Sequence, residues 1–164
     1  MSDLECLPAL RQAGLRGQLI LDHERLEKLF EELRAAFEAD AREDAARLWA
    51  DLDRGLSTHM GFEERHMLPA FRAVDSTEVE SLLREHDLIR RRLTELGMGV
   101  DLHAARAEII SDFIALLRAH AHREDELLYR WAERELPPSA QSAFRPALSG
   151  KESAAPQPAA SGRG

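Results

Sequence analysis

The segment STHMGFEERHML, residues 57–68, places His59 and Glu63 four residues apart inside an otherwise apolar helical stripe. On an α-helix, positions i and i+4 share a face and stand about 6 Å apart along the axis. A histidine and a carboxylate therefore occupy places where a core favours leucine. The segment RAHAHREDELLY, residues 118–129, repeats the arrangement with His120 and Glu124. Two such pairs in one chain call for a shared cause.

Four helices follow from the 3.6-residue period. In the first, Leu19, His23, Leu26, Phe30, Leu33 and Phe37 recur at alternating steps of four and three, as on a seam facing partner helices. The spacing predicts a start after Gly17 and an end near Asp40. A second helix carries Leu48, Leu52, Leu56, His59, Glu63 and Met67 on one face and ends near Pro69. The third is expected to open with a capping box of Thr77 and Glu80, to present Val79, Leu82, His86, Ile89, Leu93 and Leu96, and to break at Gly97–Gly99. The fourth is predicted from about His103 to Glu135, through Ile110, Phe113, Leu117, His120, Glu124, Leu127 and Trp131, with Pro137 and Pro138 ending it.

Short connections imply antiparallel neighbours, so the expected fold is all-α, an up-down-up-down antiparallel four-helix bundle. The histidines test it. Residues at one height on antiparallel helices have the connecting loop midway between them. The midpoint of His23 and His59 is residue 41, that of His86 and His120 is residue 103, and that of Glu63 and His86 is close to residue 75. Each falls at or beside an expected break. An internal duplication agrees, since LDHERLEKLFEEL (21–33) resembles REHDLIRRRLTEL (84–96), and each is followed by a His-x-x-x-Glu pair. The bundle thus reads as two repeated αα-hairpins, each giving one histidine from its first helix and a histidine with a glutamate from its second.

Four imidazoles and two carboxylates at one buried level need compensating charge. A pair of cations supplies it. His23, His59, Glu63, His86, His120 and Glu124 are the candidate metal ligands, and nitrogen and oxygen donors with carboxylates able to bridge suit a dinuclear iron centre. Manganese and zinc satisfy the same donors. His122, about 200° around the helix from His120, is expected to face solvent, His103 lies near a loop, and His66 is expected to be a buried, hydrogen-bonded residue.

The rest of the composition narrows the class. The 164 residues suit one domain, with 1–15 as an N-terminal segment, 16–136 as the bundle and 137–164 as a disordered Pro/Ala/Ser-rich tail. A net charge of -8 without a basic run opposes nucleic-acid binding. No apolar run approaches the roughly 20 residues of a membrane span. The acidic, proline-containing start MSDLECLPAL does not fit a signal peptide, and the single Cys6 makes no internal disulfide, so a cytoplasmic protein is expected. No Gly-rich phosphate loop, Ser/His/Asp order or Cys/His nucleophile points to a defined enzyme.

Taken as a set, His23, HMGFE (59–63), His86 and HAHRE (120–124) resemble the hemerythrin-like, or HHE cation-binding, domains over about residues 16–136. The resemblance implies a non-haem centre of two iron ions (Fe2+/Fe3+) with an oxo or hydroxo bridge. Glu63 and Glu124 would bridge the metals, and His23, His59, His86 and His120 would bind terminally. It also implies carriage or sensing of oxygen, response to nitric oxide or peroxide, iron handling, or repair of iron-sulfur clusters.

Departures from the oxygen carriers shape the expected function. Carriers have a further histidine one turn after the position of His86, where this chain has Arg90. Their last helix uses His-x-x-x-x-Asp, which Asp125 would fit. Glu124 is preferred because it reproduces the first repeat and turns only about 40° from His120, against about 140° for Asp125. Both metals would then keep an open position, which suits reactive small molecules better than oxygen storage. The ligand set is similar to that of iron-sulfur cluster repair proteins, whose additional cysteine-bearing N-terminal domain the residues before the first helix are too few to form. The expected function is therefore to bind or sense oxygen, nitric oxide or peroxide, with the small diatomic or peroxide ligand as partner. Stress-linked iron handling or cluster repair is the alternative, and a metal-stabilised interaction module without redox chemistry is a third. Arg90 and its repeat partner Glu27 are expected to pair across the bundle or to shape access to the metals.

Overall fold

The computed structural model describes residues 14–101 and 106–138, and these are helical apart from short connections. There are four long helices among the described residues, α1 (Leu15–Glu38), α2 (Arg42–His66), α4 (Ser76–Asp101) and α5 (Ala107–Glu124), with the single turn α3 (Leu68–Phe71) between α2 and α4. After α5 the helix widens into a π-helical turn, Asp125–Tyr129, and closes with α6 (Arg130–Glu135). No helix among the described residues is long and apolar enough to cross a membrane. Cys6, His103 and nearly all of the expected tail, residues 139–164, lie outside the described residues.

Local chemistry sets the boundaries. Helix α1 starts at Leu15 rather than after Gly17, because extended Gly14 stands at its N-cap and Gly17 continues the helix. Its end is turned by Asp40, whose φ of 51° is left-handed, a conformation that aspartate adopts more readily than most residues. The Ala41 N–H then reaches back to the Ala36 carbonyl at 2.9 Å. Glu43 and Asp44 occupy the first turn of α2, and Arg65 and His66 its last, each complementing the helix dipole. Pro69 falls in the first turn of α3, where its missing N–H costs no helical bond. Helix α4 is capped not by Thr77 but by Asp75, whose Oδ1 accepts the Glu78 N–H at 2.9 Å.

The expected break at Gly97–Gly99 is not there, since α4 runs through it to Asp101. Gly97 has a packing reason. A Cβ at this position would stand 2.9 Å from Nε1 of Trp49, so the glycine lets α4 approach the indole.

Helix α1 packs on α2 and α5, α2 on α4, and α4 on α5. Ion pairs tie the outer edges, Arg118 to Glu27 and Glu31, Arg90 to Glu64, and Arg123 to Glu78 and Glu85. The apolar interior falls into two clusters. One gathers residues such as Leu26, Phe30, Leu33, Leu52, Leu56, Ile89, Leu93, Ile110, Phe113 and Leu117. The other gathers Leu15, Leu19, Phe62, Met67, Val79, Leu82, Leu128, Tyr129 and Trp131. Along each long helix, the histidine of the repeated pattern falls between the two. His59, Glu63, His86, His120 and Glu124 are buried there, and His23 is half-buried.

The fourth helix departs from expectation beyond Glu124. Leu127, expected in the core, is 41 % exposed, whereas Leu128 and Tyr129 are fully buried. A π turn takes up one extra residue, so it rotates everything after it by about 100° relative to an α-helix. That rotation carries Leu127 out and Tyr129 in. Deleting Leu127 should therefore restore regular α-helical spacing while keeping Leu128, Tyr129 and Trp131 in the core. Thermal unfolding is expected to stay within a few degrees of wild type. Were the helix regular to begin with, the same deletion would rotate all three outward and cost roughly 5 kcal/mol or more, a loss readily seen by calorimetry.

Candidate metal centre

Each long helix delivers one imidazole to the layer between the two apolar clusters. His23 Nε2 and His59 Nε2 stand 3.1 Å apart, with Glu124 Oε2 at 3.3 and 3.7 Å from them. On the other side, His86 Nε2 and His120 Nε2 lie 3.1 and 2.7 Å from Glu124 Oε1. Two groups able to hold a metal ion result, His23–His59–Glu124 and His86–His120–Glu124, each with its donor atoms within 4.8 Å of one another. Glu124 belongs to both through its two oxygens. Glu63 spans the same gap, Oε1 at 3.4 Å from His59 Nε2 and Oε2 at 3.4 Å from His86 Nε2. Asp125 turns away and meets Arg16 at 3.4 Å.

The outward nitrogens explain why the inward ones are free to act as donors. His59 Nδ1 is 2.7 Å from Asp22 Oδ2, His86 Nδ1 is 2.8 Å from Glu64 Oε1, and His120 Nδ1 is 2.7 Å from Glu85 Oε2. A carboxylate at Nδ1 fixes a proton there, so Nε2 is the nitrogen that faces inward and offers its lone pair once its own proton is displaced, as at metal-bound histidines. Each carboxylate is held in turn by an arginine. Arg25 holds Asp22, Arg90 grips Glu64 through two bonds of 2.8 and 2.9 Å, and Arg123 holds Glu85.

Apart from Arg90, these outer residues escaped the sequence reading, although the repeat carries a signal for two of them. Asp22 and Glu85 each precede the first histidine of their hairpin, and each serves the histidine of the second helix. Arg90 does not pair with Glu27, which is bound to Arg118 instead. Its place one turn from His86 puts it on the carboxylate that orients that imidazole. His66 is half-buried rather than buried, and its ring packs against Phe62 at 5.3 Å. His122 is exposed, as expected.

In the layer, imidazoles and carboxylates shift one another's proton affinity. Burial by itself pushes the His86 imidazole toward its neutral form, but Glu124 and Glu63 outweigh it and raise its pKa to about 10. Burial acts the same way on His59 and His120, and there too the carboxylates prevail and raise the pKa. Glu124 is pulled well below the usual carboxylate range, because the imidazoles, His120 first, overcome its burial. Buried Glu63 Oε2 and His120 Nε2 nevertheless lack a hydrogen-bond partner among the described residues, the latter although it is 2.7 Å from Glu124. Atoms that converge so closely without hydrogen-bond geometry suit a shared ion.

A cavity of about 610 Å³ reaches this layer between α1 and α5. Leu26, Phe30, Leu56, Met60 and Leu117 line its apolar wall, His23, His59 and His120 face it at the layer, and Arg118, Glu27 and Glu31 stand at its polar edge.

Because the His86 imidazole, with its pKa raised to about 10, carries a proton at pH 7, an entering cation would displace it. Titration of metal-free protein with a divalent cation should release roughly one proton or more per ion. Affinity should rise with pH toward the His86 value of about 10. Calorimetry in buffers of different ionisation enthalpy measures the release, and none at pH 7 would contradict the charge balance described. Separately, Glu85→Ala should weaken binding by about 10–100-fold through loss of His120 orientation, read by competition with a chromogenic chelator.

No curated protein and no solved structure matches the chain. The hemerythrin HHE cation binding domain matches residues 16–132, within the helices that supply all four imidazoles. With that match spanning most of its length, the chain belongs to the hemerythrin HHE cation-binding domain family.

Proposed function

We propose that the chain is a non-haem di-iron protein that binds or senses oxygen, nitric oxide or peroxide. In this reading His23, His59, His86 and His120 bind two iron ions terminally through Nε2, and Glu63 and Glu124 bridge them. The observation that carries it is the pair of donor groups that meet on the two oxygens of Glu124. The proposal includes an up-down-up-down topology for residues 16–136, supported by side-chain partners whose numbers rise on one helix as they fall on its neighbour, such as Glu78–Arg123 and Glu85–His120, or Arg16–Asp125 and Glu27–Arg118. A cytoplasmic location belongs to the same reading.

The residues set what such a centre could do. Asp22, Glu64 and Glu85 hold three Nδ1 protons and keep the ligand lone pairs aligned. Arg90, where a carrier has a further histidine, acts on the centre only through Glu64. The apolar wall of the cavity favours small uncharged molecules over ions on the way to the layer. Bound iron would supply Lewis acidity and reversible electron exchange there.

Metal analysis with ultraviolet-visible spectroscopy tests the reading. About two irons per chain and near-ultraviolet absorption sensitive to oxygen or nitric oxide are expected. Stoichiometric zinc and a silent spectrum would favour the interaction module instead. His59→Ala, His120→Ala and Glu124→Gln should each lose most of the metal, while His122→Ala and Asp125→Asn keep it. Chelated protein should melt at a lower temperature than loaded protein, because the buried carboxylates then lose their counter-charge. Equal melting temperatures after confirmed removal would count against a cation in the core.

A further inference from the structure

Tyr129 enters the layer on the π turn and was not among the expected ligands. Its phenol oxygen lies 2.5 Å from Glu63 Oε1, 3.0 Å from His59 Nε2, 3.1 Å from His23 Nε2 and 3.4 Å from Glu124 Oε2. Those four atoms stand 3.1–3.7 Å apart across the His23–His59, His23–Glu124, His59–Glu63 and His59–Glu124 pairs. Donors about 2.1 Å from one cation and at right angles to each other are separated by about 3 Å. The phenol oxygen keeps such separations from both imidazoles, so it stands as a further member of that set.

Hydrogen bonding alone does not account for the placement. A phenol has one proton to give, and Glu63 Oε1 is its nearest acceptor. The Nδ1 of His59 is engaged with Asp22, so only its Nε2 faces the phenol. With that proton on Glu63, Glu124 Oε2 at 3.4 Å faces the same oxygen without a hydrogen between them. A cation among the five atoms removes that conflict.

We propose that Tyr129 binds, as a phenolate, the ion held by His23 and His59, so that the two metal positions are chemically unequal. On ligation the O–H bond breaks, the oxygen lone pair goes to the cation and the proton leaves to solvent, with no change of oxidation state. The position held by His86 and His120 has no such donor in the repeat. Leu68, five residues after Glu63 as Tyr129 is five after Glu124, is apolar and buried. The inference rests on the di-iron reading above.

Tyr129 is the only tyrosine in the chain, so a tyrosinate signal has a single source. The test is visible absorption and resonance Raman spectroscopy of the full chain loaded with ferric iron, with iron content measured in parallel. The expected result is a visible charge-transfer band with enhanced tyrosine ring modes, lost in Tyr129→Phe while iron is still bound. Ring-deuterated tyrosine in wild type should shift those modes, a result that does not depend on the variant folding. Wild-type protein that binds two irons yet shows no such band, or a band unaffected by ring deuteration, would overturn the ligand assignment and leave the di-iron reading standing. Wild-type protein that takes up no iron would overturn both.

Discussion

Two carboxylates without any solvent contact, Glu63 and Glu124, set the terms for the rest of the molecule. A buried carboxylate in an all-apolar bundle would protonate or unfold it, so each needs positive charge at close range. The four imidazoles supply part of that charge, one from each long helix. Their convergence requires all four helices to hold their heights to within about half a turn. Loop lengths, the left-handed Asp40 turn and the glycine contact at Trp49 can be read as the means by which those heights are kept.

The same constraint extends outward. A histidine serves as a donor only if its far nitrogen is fixed, and three of the four are fixed by Asp22, Glu64 and Glu85. These carboxylates are partly exposed and would swing into water but for Arg25, Arg90 and Arg123. Arginines of this kind, half in solvent on a charged surface, usually contribute little. Here they terminate a line of contacts that begins at the centre of the core.

The inner residues were legible in the sequence and the outer ones less so, for a physical reason. His23, His59, His86 and His120 interrupt apolar stripes, and an imidazole at a core position stands out against leucine. Glu64, Glu85 and Arg123 lie among other charges, where a solvated helix face and an orienting contact look alike. Tyr129 was hidden by phase. Nine residues after His120, it falls about 180° away on an α-helix, and only the π turn brings it to the same side. Periodicity assumes a regular helix, so it misplaces everything beyond an inserted residue. The boundary at Gly97 failed differently, because a glycine chosen for closeness to Trp49 carries the same letter as one chosen to end a helix.

The histidine and glutamate layer also lies between two parts of the apolar interior of the described residues. Small helical domains normally melt as one unit because their core is continuous. In this chain the continuity runs through polar groups whose attraction depends on what they bind. One end, built from Leu15, Leu19, Phe71, Leu82 and Trp131, includes the start of α1, the α2–α4 connection and the last helix, whereas the other holds the α1–α2 turn and the middle of α5. Cooperativity itself thus becomes a variable of the centre. With the layer neutralised, hydrogen exchange should fade from both ends together, and with it stripped, the two ends can open as separate units of unequal stability.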